Sequence, residues 1–177
     1  EIISMASALP AICGRVWPQE RQCEGRCIRG IKGDPVSIGK LERFTADWAC
    51  EKGIRPKAAA SKNGHKVAVI GSGPAGLSCA YYLAVDGFPV TVFEKDQKPG
   101  GMLMMGIPSF RLEKEVIDSE IEVLRDLGVE FRCSVEVGKD LSLDDLRKEG
   151  YEAFYLAIGA QKSASLRIPG EDLDSVY

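Results

Sequence analysis

The 177-residue sequence lacks the features that mark several classes of protein. It has no apolar run long enough to cross a bilayer and no segment that resembles a signal peptide, which predicts a cytoplasmic protein. Its formal net charge of −3 gives no general attraction to nucleic acid or to an anionic lipid surface. We therefore expect neither nucleic acid nor a membrane as a partner.

Residues for hydrolytic catalysis are scarce as well. The sequence contains one histidine, His65, which ends a polar stretch and is expected to be exposed. No acid–base pair, activated nucleophile or metal-hydrolase pattern is present. Any redox chemistry would therefore belong to a bound cofactor, which the protein positions.

Cysteine is more informative, because three of the six cysteines fall within fifteen residues, at Cys13, Cys23 and Cys27. In a cytosolic protein such a group indicates metal or redox chemistry rather than disulfides. The other three are scattered through apolar patterns, and we expect small buried residues at Cys50, Cys79 and Cys133.

The composition changes along the chain, and the change predicts two regions. Residues 1–57 are expected to form a small α-helical, cysteine-containing segment, and residues 58–65 a linker. Residues 66–177 alternate between strand and helix patterns, which predicts an α/β, Rossmann-like parallel sheet with right-handed crossovers. The predicted strands are 66–71, 89–95, 129–133 and 152–160, and the predicted helices are 74–86, 111–128 and 141–150.

Residues 71–76 have the sequence GSGPAG, a G-x-G-x-x-G pattern between a strand and a helix. Gly71 allows the tight turn, Gly73 lets the backbone approach a pyrophosphate, and Gly76 lets the helix pack closely on the strand. The helix N-terminus then attracts the phosphates. Glu94, eighteen residues after Gly76 at the end of the next strand, is placed to bind ribose and disfavours a 2′-phosphate.

A second glycine pair, Gly100 and Gly101 before Met102, predicts another stretch of bare backbone beside the ligand. A cofactor that continues beyond the pyrophosphate would use it, so the residues favour FAD over NAD. Two alternatives stay open. One is an NAD-binding dehydrogenase without its catalytic domain, and the other is a subunit-docking role for residues 1–57 with no redox function.

With these residues in place, the sequence resembles the glutamate synthase small-subunit family. That family includes the N-terminal part of dihydropyrimidine dehydrogenase and related ferredoxin:NADP oxidoreductases. The resemblance is carried by AICGRVWPQERQCEGRC, SIGKLERF, VAVIGSGPAGLSCAYYLA, VFEKDQKPGGMLMMGIPSFRL and YLAIGA…IPGEDL.

The resemblance implies that electrons pass from NADPH to FAD and then through 4Fe-4S clusters. The final acceptor would be the large glutamate synthase subunit or another electron-accepting subunit. It also implies that NADPH binds an inserted domain outside this chain. We therefore expect a piece of a longer polypeptide that binds FAD weakly or not at all and does not turn over alone.

The resemblance further assigns contacts with FAD. It places five residues at the pyrophosphate, Gly71, Ser72, Gly73, Pro74 and Ala75. It places Glu94 at the ribose, Val137 near the adenine, and Arg111 as a cation at the flavin end or the phosphates. The remaining contacts that it implies are Val16, Lys95, Gly100, Gly101, Met102, Ala157 and Gly159.

For the iron–sulfur chemistry, the resemblance matches Cys23, Cys27 and Glu42 to ligand positions. Trp17 stands where the family usually has a ligand cysteine, and the family's upstream cysteine run is absent from this chain. We therefore expect that these residues alone complete no 4Fe-4S cluster.

Overall fold

The structure is a computed structural model, which describes residues 2–161 and 164–174. The outer ends of the two predicted regions, residues 1 and 175–177, lie outside that range. The chain begins with three helices, α1 (Ile2–Ala6), α2 (Pro10–Val16) and α3 (Ile38–Glu51), with 3-10 turns at Gln19–Arg21 and Ile28–Ile31. In the described part of the chain, no helix is long and apolar enough to cross a membrane.

The rest of the chain alternates between strands and helices, as the sequence predicts. The strands are β1 (Lys66–Ile70), β2 (Val90–Glu94), β3 (Glu130–Cys133) and β4 (Tyr151–Leu156). The helices are α4 (Pro74–Val85), α5 (Met102–Met105), α6 (Lys114–Asp126) and α7 (Leu143–Lys148). The four strands form one parallel sheet in the order β3-β2-β1-β4, which confirms the predicted fold class.

Helices cover both faces of this sheet, which explains why its central strands are almost continuously apolar. On one face, α4 and α6 bury Leu77, Ile121 and Leu124 against the sheet. On the other face, Leu146 of α7 packs with Phe93 and Tyr151. The sheet is therefore the middle layer of a three-layer arrangement.

The N-terminal helices share the larger of these two cores. Ala8, Leu9 and Ile12 belong to the same buried cluster as the residues of α4 and α6. The carboxylate of Glu120 on α6 accepts a hydrogen bond from the backbone N–H of Ala11 at 2.6 Å, in the first turn of α2. The cysteine-containing segment is thus packed against the Rossmann-like sheet, and the predicted boundaries at residues 57 and 65 stay predictions.

Three details differ from the sequence-based expectations. The short helix α5 was not predicted, and it follows directly from the Gly100–Gly101 pair. Strand β4 ends at Leu156 rather than at residue 160, because the chain leaves the sheet to border a cavity. Cys50 is exposed and not buried, since it lies near the end of α3, while Cys79 and Cys133 are half-buried.

Candidate dinucleotide-binding site

A cavity of about 600 Å³ lies at the carboxyl ends of β1, β2 and β4. In open parallel sheets, ligands bind at this edge, where the connections leave in opposite directions. Most of the predicted contacts line it: Gly71, Ser72, Gly73, Pro74, Ala75, Glu94, Lys95, Gly101, Met102, Val137, Ala157 and Gly159.

The three glycines of the turn are required for different reasons. Gly71 has a φ of 102°, and a Cβ there would lie 2.3 Å from the carbonyl oxygen of Ala157. A Cβ on Gly76 would lie 2.0 Å from the carbonyl oxygen of Gly71, so only glycine allows α4 to pack this closely. A Cβ on Gly73 would meet no protein atom within 4 Å, because this backbone borders the cavity.

The N-terminus of α4 points its first turn at the same cavity. Gly73 is the N-cap and Pro74 occupies the first turn, where proline's missing N–H costs no helical hydrogen bond. Helix N-termini carry unpaired N–H groups and a partial positive charge. This end of the cavity therefore suits a phosphate group.

Glu94 lies at the end of β2 and is only 5% exposed. Its Oε2 accepts hydrogen bonds from the Ser72 hydroxyl and, at 3.0 Å, from the Ser72 backbone N–H. Its Oε1 accepts the backbone N–H of Asp96 at 2.9 Å. Because each carboxylate oxygen has two acceptor positions, one position on Oε1 is left for a ligand hydroxyl.

The second glycine pair has a role that the sequence did not reveal. Among the described residues, Gly101 borders the cavity and Gly100 does not. Gly100 is buried, with a φ of 127°, and its N–H donates to the Ser72 hydroxyl at 2.9 Å. A Cβ on Gly101 would lie 2.9 Å from the Cα of Gly73. The pair is glycine because the two loops pack on each other.

Further lining residues follow β3 and β4 and carry no motif of their own. They are Val135, Glu136, Ile158, Ala160 and Gln161. Lys95 and Gln161 come from opposite sides of the cavity, and their side chains form a 2.7 Å hydrogen bond. Only their position could have identified them from the sequence, because each lies just beyond the carboxyl end of a parallel strand.

A second, largely apolar groove of about 710 Å³ begins where the first cavity ends, since Pro74 lines both. Its walls include Val16 and Trp17 from the N-terminal segment and Tyr82 and Leu103 from the Rossmann-like part. Val16, which the resemblance placed near FAD, lines this groove together with Pro74 of the glycine-rich turn.

Arg111 is not at either of these two surfaces. It is exposed and borders a third, polar cleft beside Gly14, Gln19 and Lys40. The chain turns away after α5, and this turn carries Arg111 to the side of the cysteine segment. The predicted cationic contact between Arg111 and the cofactor therefore stays a prediction.

The three candidate iron–sulfur ligands do not converge. Among the described residues, no group of three or more histidine, cysteine or acidic side chains is placed to hold a metal ion. The Cys27 Sγ accepts the backbone N–H of Val36 at 3.5 Å, and hydrogen bonds of this kind lower the pKa of its thiol. Glu42 borders the apolar groove, where burial raises the pKa of its carboxyl group. Cys23 and Cys27 supply two thiolates, whereas a 4Fe-4S cluster usually takes four, so these residues as placed do not fit one.

The fold and the cavity define a dinucleotide-binding α/β domain that carries a cysteine-containing helical segment at its N-terminal side. Two family models match these two parts. The model for dihydropyrimidine dehydrogenase domain II, 4Fe-4S cluster, matches residues 1–54. The model for an NAD(P)-binding Rossmann-like domain matches residues 69–126. These two models therefore support the expectation that proteins of this kind bind a nucleotide cofactor and a 4Fe-4S cluster.

Curated relatives resemble the chain over almost its whole length. The glutamate synthase [NADPH] small chain of Escherichia coli K12 is 43% identical over 100% of this chain and 38% of its own length. That of Halomonas elongata is 41% identical over the same shares, 100% and 38%. A subunit of an NAD-dependent dihydropyrimidine dehydrogenase from Escherichia coli K12 is 39% identical over 94% and 40%. The chain belongs to the glutamate synthase small-subunit family, and it spans less than half the length of these relatives.

Solved structures give the same result for the fold. FprA of Mycobacterium tuberculosis in complex with NADPH superposes with a TM-score of 0.56 at 28% identity, covering 63% of this chain and 26% of FprA. A 2-naphthoyl-CoA reductase superposes with a TM-score of 0.52 at 29% identity, covering 77% and 19%. These relatives are oxidoreductases, which supports an oxidoreductase family for this chain.

Proposed function

We propose that this chain contains the ADP-binding half of an FAD site in an oxidoreductase of glutamate synthase small-subunit type. In the whole protein, NADPH bound outside this chain would supply electrons to FAD. Iron–sulfur centres would pass them to the large glutamate synthase subunit or to another electron-accepting subunit. The flavin supplies the redox chemistry when bound, and the residues of this chain bind and orient it.

The observation that carries this proposal is that Pro74 lines both the cavity and the apolar groove. The cavity offers phosphate-binding and ribose-binding groups, which suits the ADP half of a dinucleotide. The groove offers the apolar and aromatic walls of Val16, Trp17 and Tyr82, which suit an extended ring system. This sequence of surfaces favours FAD over NAD.

Each cavity residue then has a role toward the ADP half. The N-terminus of α4 would bind the pyrophosphate, with Gly73 allowing close approach. The free acceptor position on Glu94 Oε1 would take one ribose hydroxyl. Val137 would pack against the adenine, and the backbone at Ala157 and Gly159 would close the cavity from the side of β4.

No electron step is assigned to Cys23, Cys27 or Glu42, because they do not converge. We propose that any cluster beside this segment takes its remaining ligands from parts of the whole protein beyond this chain.

The predicted docking role of the segment has separate support. The side chains of α3 at helical spacing are exposed, among them Leu41 at 54%, Phe44 at 67% and Trp48 at 45%. A subunit contact would cover this face.

The proposal is tested by calorimetric titration of the purified chain with FAD, NAD and NADP. We expect weak binding of FAD, weaker binding of NAD, and competition of both by ADP, because the ADP half carries the shared contacts. A variant with Gly73→Ala should lose this binding while it keeps its melting temperature, since the added Cβ enters only the cavity. Preference for NAD over FAD, or binding that survives Gly73→Ala, would contradict the proposal.

A further inference from the structure

Ser72 has neighbours that distinguish it from the other residues of the glycine-rich turn. Its side chain is fully buried, although it lies beside a cavity of about 600 Å³. The hydroxyl group is therefore not available to a ligand. It faces Glu94 on one side and Gly100 on the other.

The hydrogen bonds of this hydroxyl have a defined direction. A carboxylate can only accept, so the Ser72 O–H donates to Glu94 Oε2. The same oxygen then accepts the backbone N–H of Gly100 at 2.9 Å. One buried hydroxyl thus joins three segments that are distant in sequence: the turn after β1, the end of β2, and the loop before α5.

This network also fixes what Glu94 presents to the cavity. Both acceptor positions of Oε2 are taken by the hydroxyl and the backbone N–H of Ser72. Asp96 takes one position on Oε1, at 2.9 Å. The remaining acceptor position is held in place by contacts that exist before any ligand arrives, so binding requires no rearrangement of Glu94.

We propose that Ser72 is a positioning residue that sets the nucleotide specificity of this cavity by orienting Glu94 and by holding the Gly100–Gly101 loop against the turn. This proposal rests on the proposed function, because it assigns Ser72 a role toward the ribose of the ADP half. An anchored carboxylate accepts from a ribose 2′- or 3′-hydroxyl and repels a 2′-phosphate.

The first test uses Ser72→Ala and two probe ligands, ADP-ribose and its 2′-phosphorylated form. Loss of the hydroxyl removes one of the two donors to Glu94 Oε2 and leaves the Gly100 N–H without its buried acceptor. Affinity for ADP-ribose should fall about tenfold or more, in line with the cost of losing a hydrogen bond to a charged group. Affinity for the phosphorylated probe should change little, so the preference between the two probes should shrink by about the same factor.

A second measurement needs no ligand. Exchange of the Gly100 amide hydrogen, followed by NMR, should accelerate in Ser72→Ala because its acceptor is gone. Glu94→Gln should behave differently, since the glutamine carbonyl can still accept from Ser72 and keep the Gly100 amide protected. This variant should nevertheless lose discrimination against the 2′-phosphate, because its negative charge is absent.

Ser119→Ala is the matched control. The Ser119 hydroxyl donates to the carbonyl oxygen of Glu115 within its own helix, away from the cavity, so neither measurement should change. Equal effects of Ser72→Ala on both probes, or unchanged exchange at Gly100, would overturn the proposed role of Ser72. The proposed nucleotide site itself would not be affected by that result. If the unaltered protein bound neither probe, the proposed nucleotide site would fail, and the role of Ser72 would fail with it.

Discussion

The Rossmann-like part and the cysteine-containing segment differ in whether the residues of their motifs come together at one site. Around the cavity, the residues of the sequence motif converge on one surface, and their backbone geometry requires the glycines that are present. In the described part of the segment, the candidate ligands form no group of three that could hold a metal, and its apolar residues instead join the buried cluster of α4 and α6. A glycine-rich motif acts through the backbone conformation of a single loop, so its residues lie together once that loop forms. A metal site instead requires side chains from several segments of a protein to meet at one point.

The largest expected effect tests the geometry of the Rossmann-like part. Gly76→Ala would place a Cβ 2.0 Å from the carbonyl oxygen of Gly71, which requires α4 to move from the sheet. We expect a loss of about 4 kcal/mol in the free energy of unfolding, measured by urea denaturation. Gly73→Ala is the matched control, and its stability should be unchanged. Equal stability of both variants would show that the close packing of α4 is not required.

The next prediction concerns the contact between the two parts. Burial raises the pKa of the Glu120 carboxyl group to about 7 from its ordinary value of 4.5, although the N–H groups of Ala11 and Ile12 oppose the shift. The folded protein therefore holds this proton more tightly than the unfolded chain does. The contribution of protonated Glu120 to the free energy of unfolding is fully present below pH 4.5 and is lost as the pH rises through about 7.

We expect this loss to reach about 3 kcal/mol, since one pKa unit corresponds to about 1.4 kcal/mol. Urea denaturation of the unaltered chain and of Glu120→Gln between pH 4.5 and 8 measures it. The difference between the two unfolding free energies isolates Glu120 from the other carboxyl groups. An unaltered chain that follows Glu120→Gln across this range would contradict the prediction.

A smaller effect is expected at Arg15, whose side chain is 8% exposed and joins three elements. It pairs with Asp47 of α3 at 2.9 Å and with Glu113 before α6 at 3.3 Å. Arg15→Ala should cost about 2 kcal/mol of unfolding free energy, because the largely buried Arg15 side chain loses its packing and its two hydrogen bonds to Asp47. Arg43→Ala is the control, since Arg43 is half exposed and its 3.6 Å pair with Asp47 should contribute less than 1 kcal/mol.

The smallest effect concerns the cysteines. Burial raises the pKa of the Cys13 thiol, whereas backbone hydrogen bonds lower that of Cys27, and Cys50 is exposed. Thiolates are the reactive form, so iodoacetamide should modify Cys27 and Cys50 before Cys13, as peptide mass spectrometry can show. Cys27→Ser should change stability by less than about 0.5 kcal/mol, as for other surface substitutions. Early modification of Cys13 would indicate that the segment does not pack as described.

Much of the fold follows from local pattern, and so does the centre of the site. The strand–turn–helix order around Gly71, Gly73 and Gly76 depends on residues that are close in sequence, and the structure agrees with it. Helix α6 was predicted in the same way, within residues 111–128, since its apolar residues have the spacing of one helix face.

Other features depend on contacts between distant residues and were missed. The burial of Glu120 could not be predicted, because its partner is 109 residues away in sequence. The role of Gly100 depends on Ser72, 28 residues before it. Arg111 was placed at the cofactor by family resemblance alone; it borders a polar cleft beside the cysteine-containing segment, and its contact with the cofactor stays a prediction.

The Glu120 contact also bears on the order of events during synthesis. Helix α2 is translated early, but the carboxylate that caps its first turn arrives 109 residues later. A seven-residue helix is too short to persist alone in water, so residues 10–16 should stay unstructured while the first βαβ unit forms. Helix α2 would then fold after the first βαβ unit although it is translated before that unit, with Cys13 accessible throughout that interval.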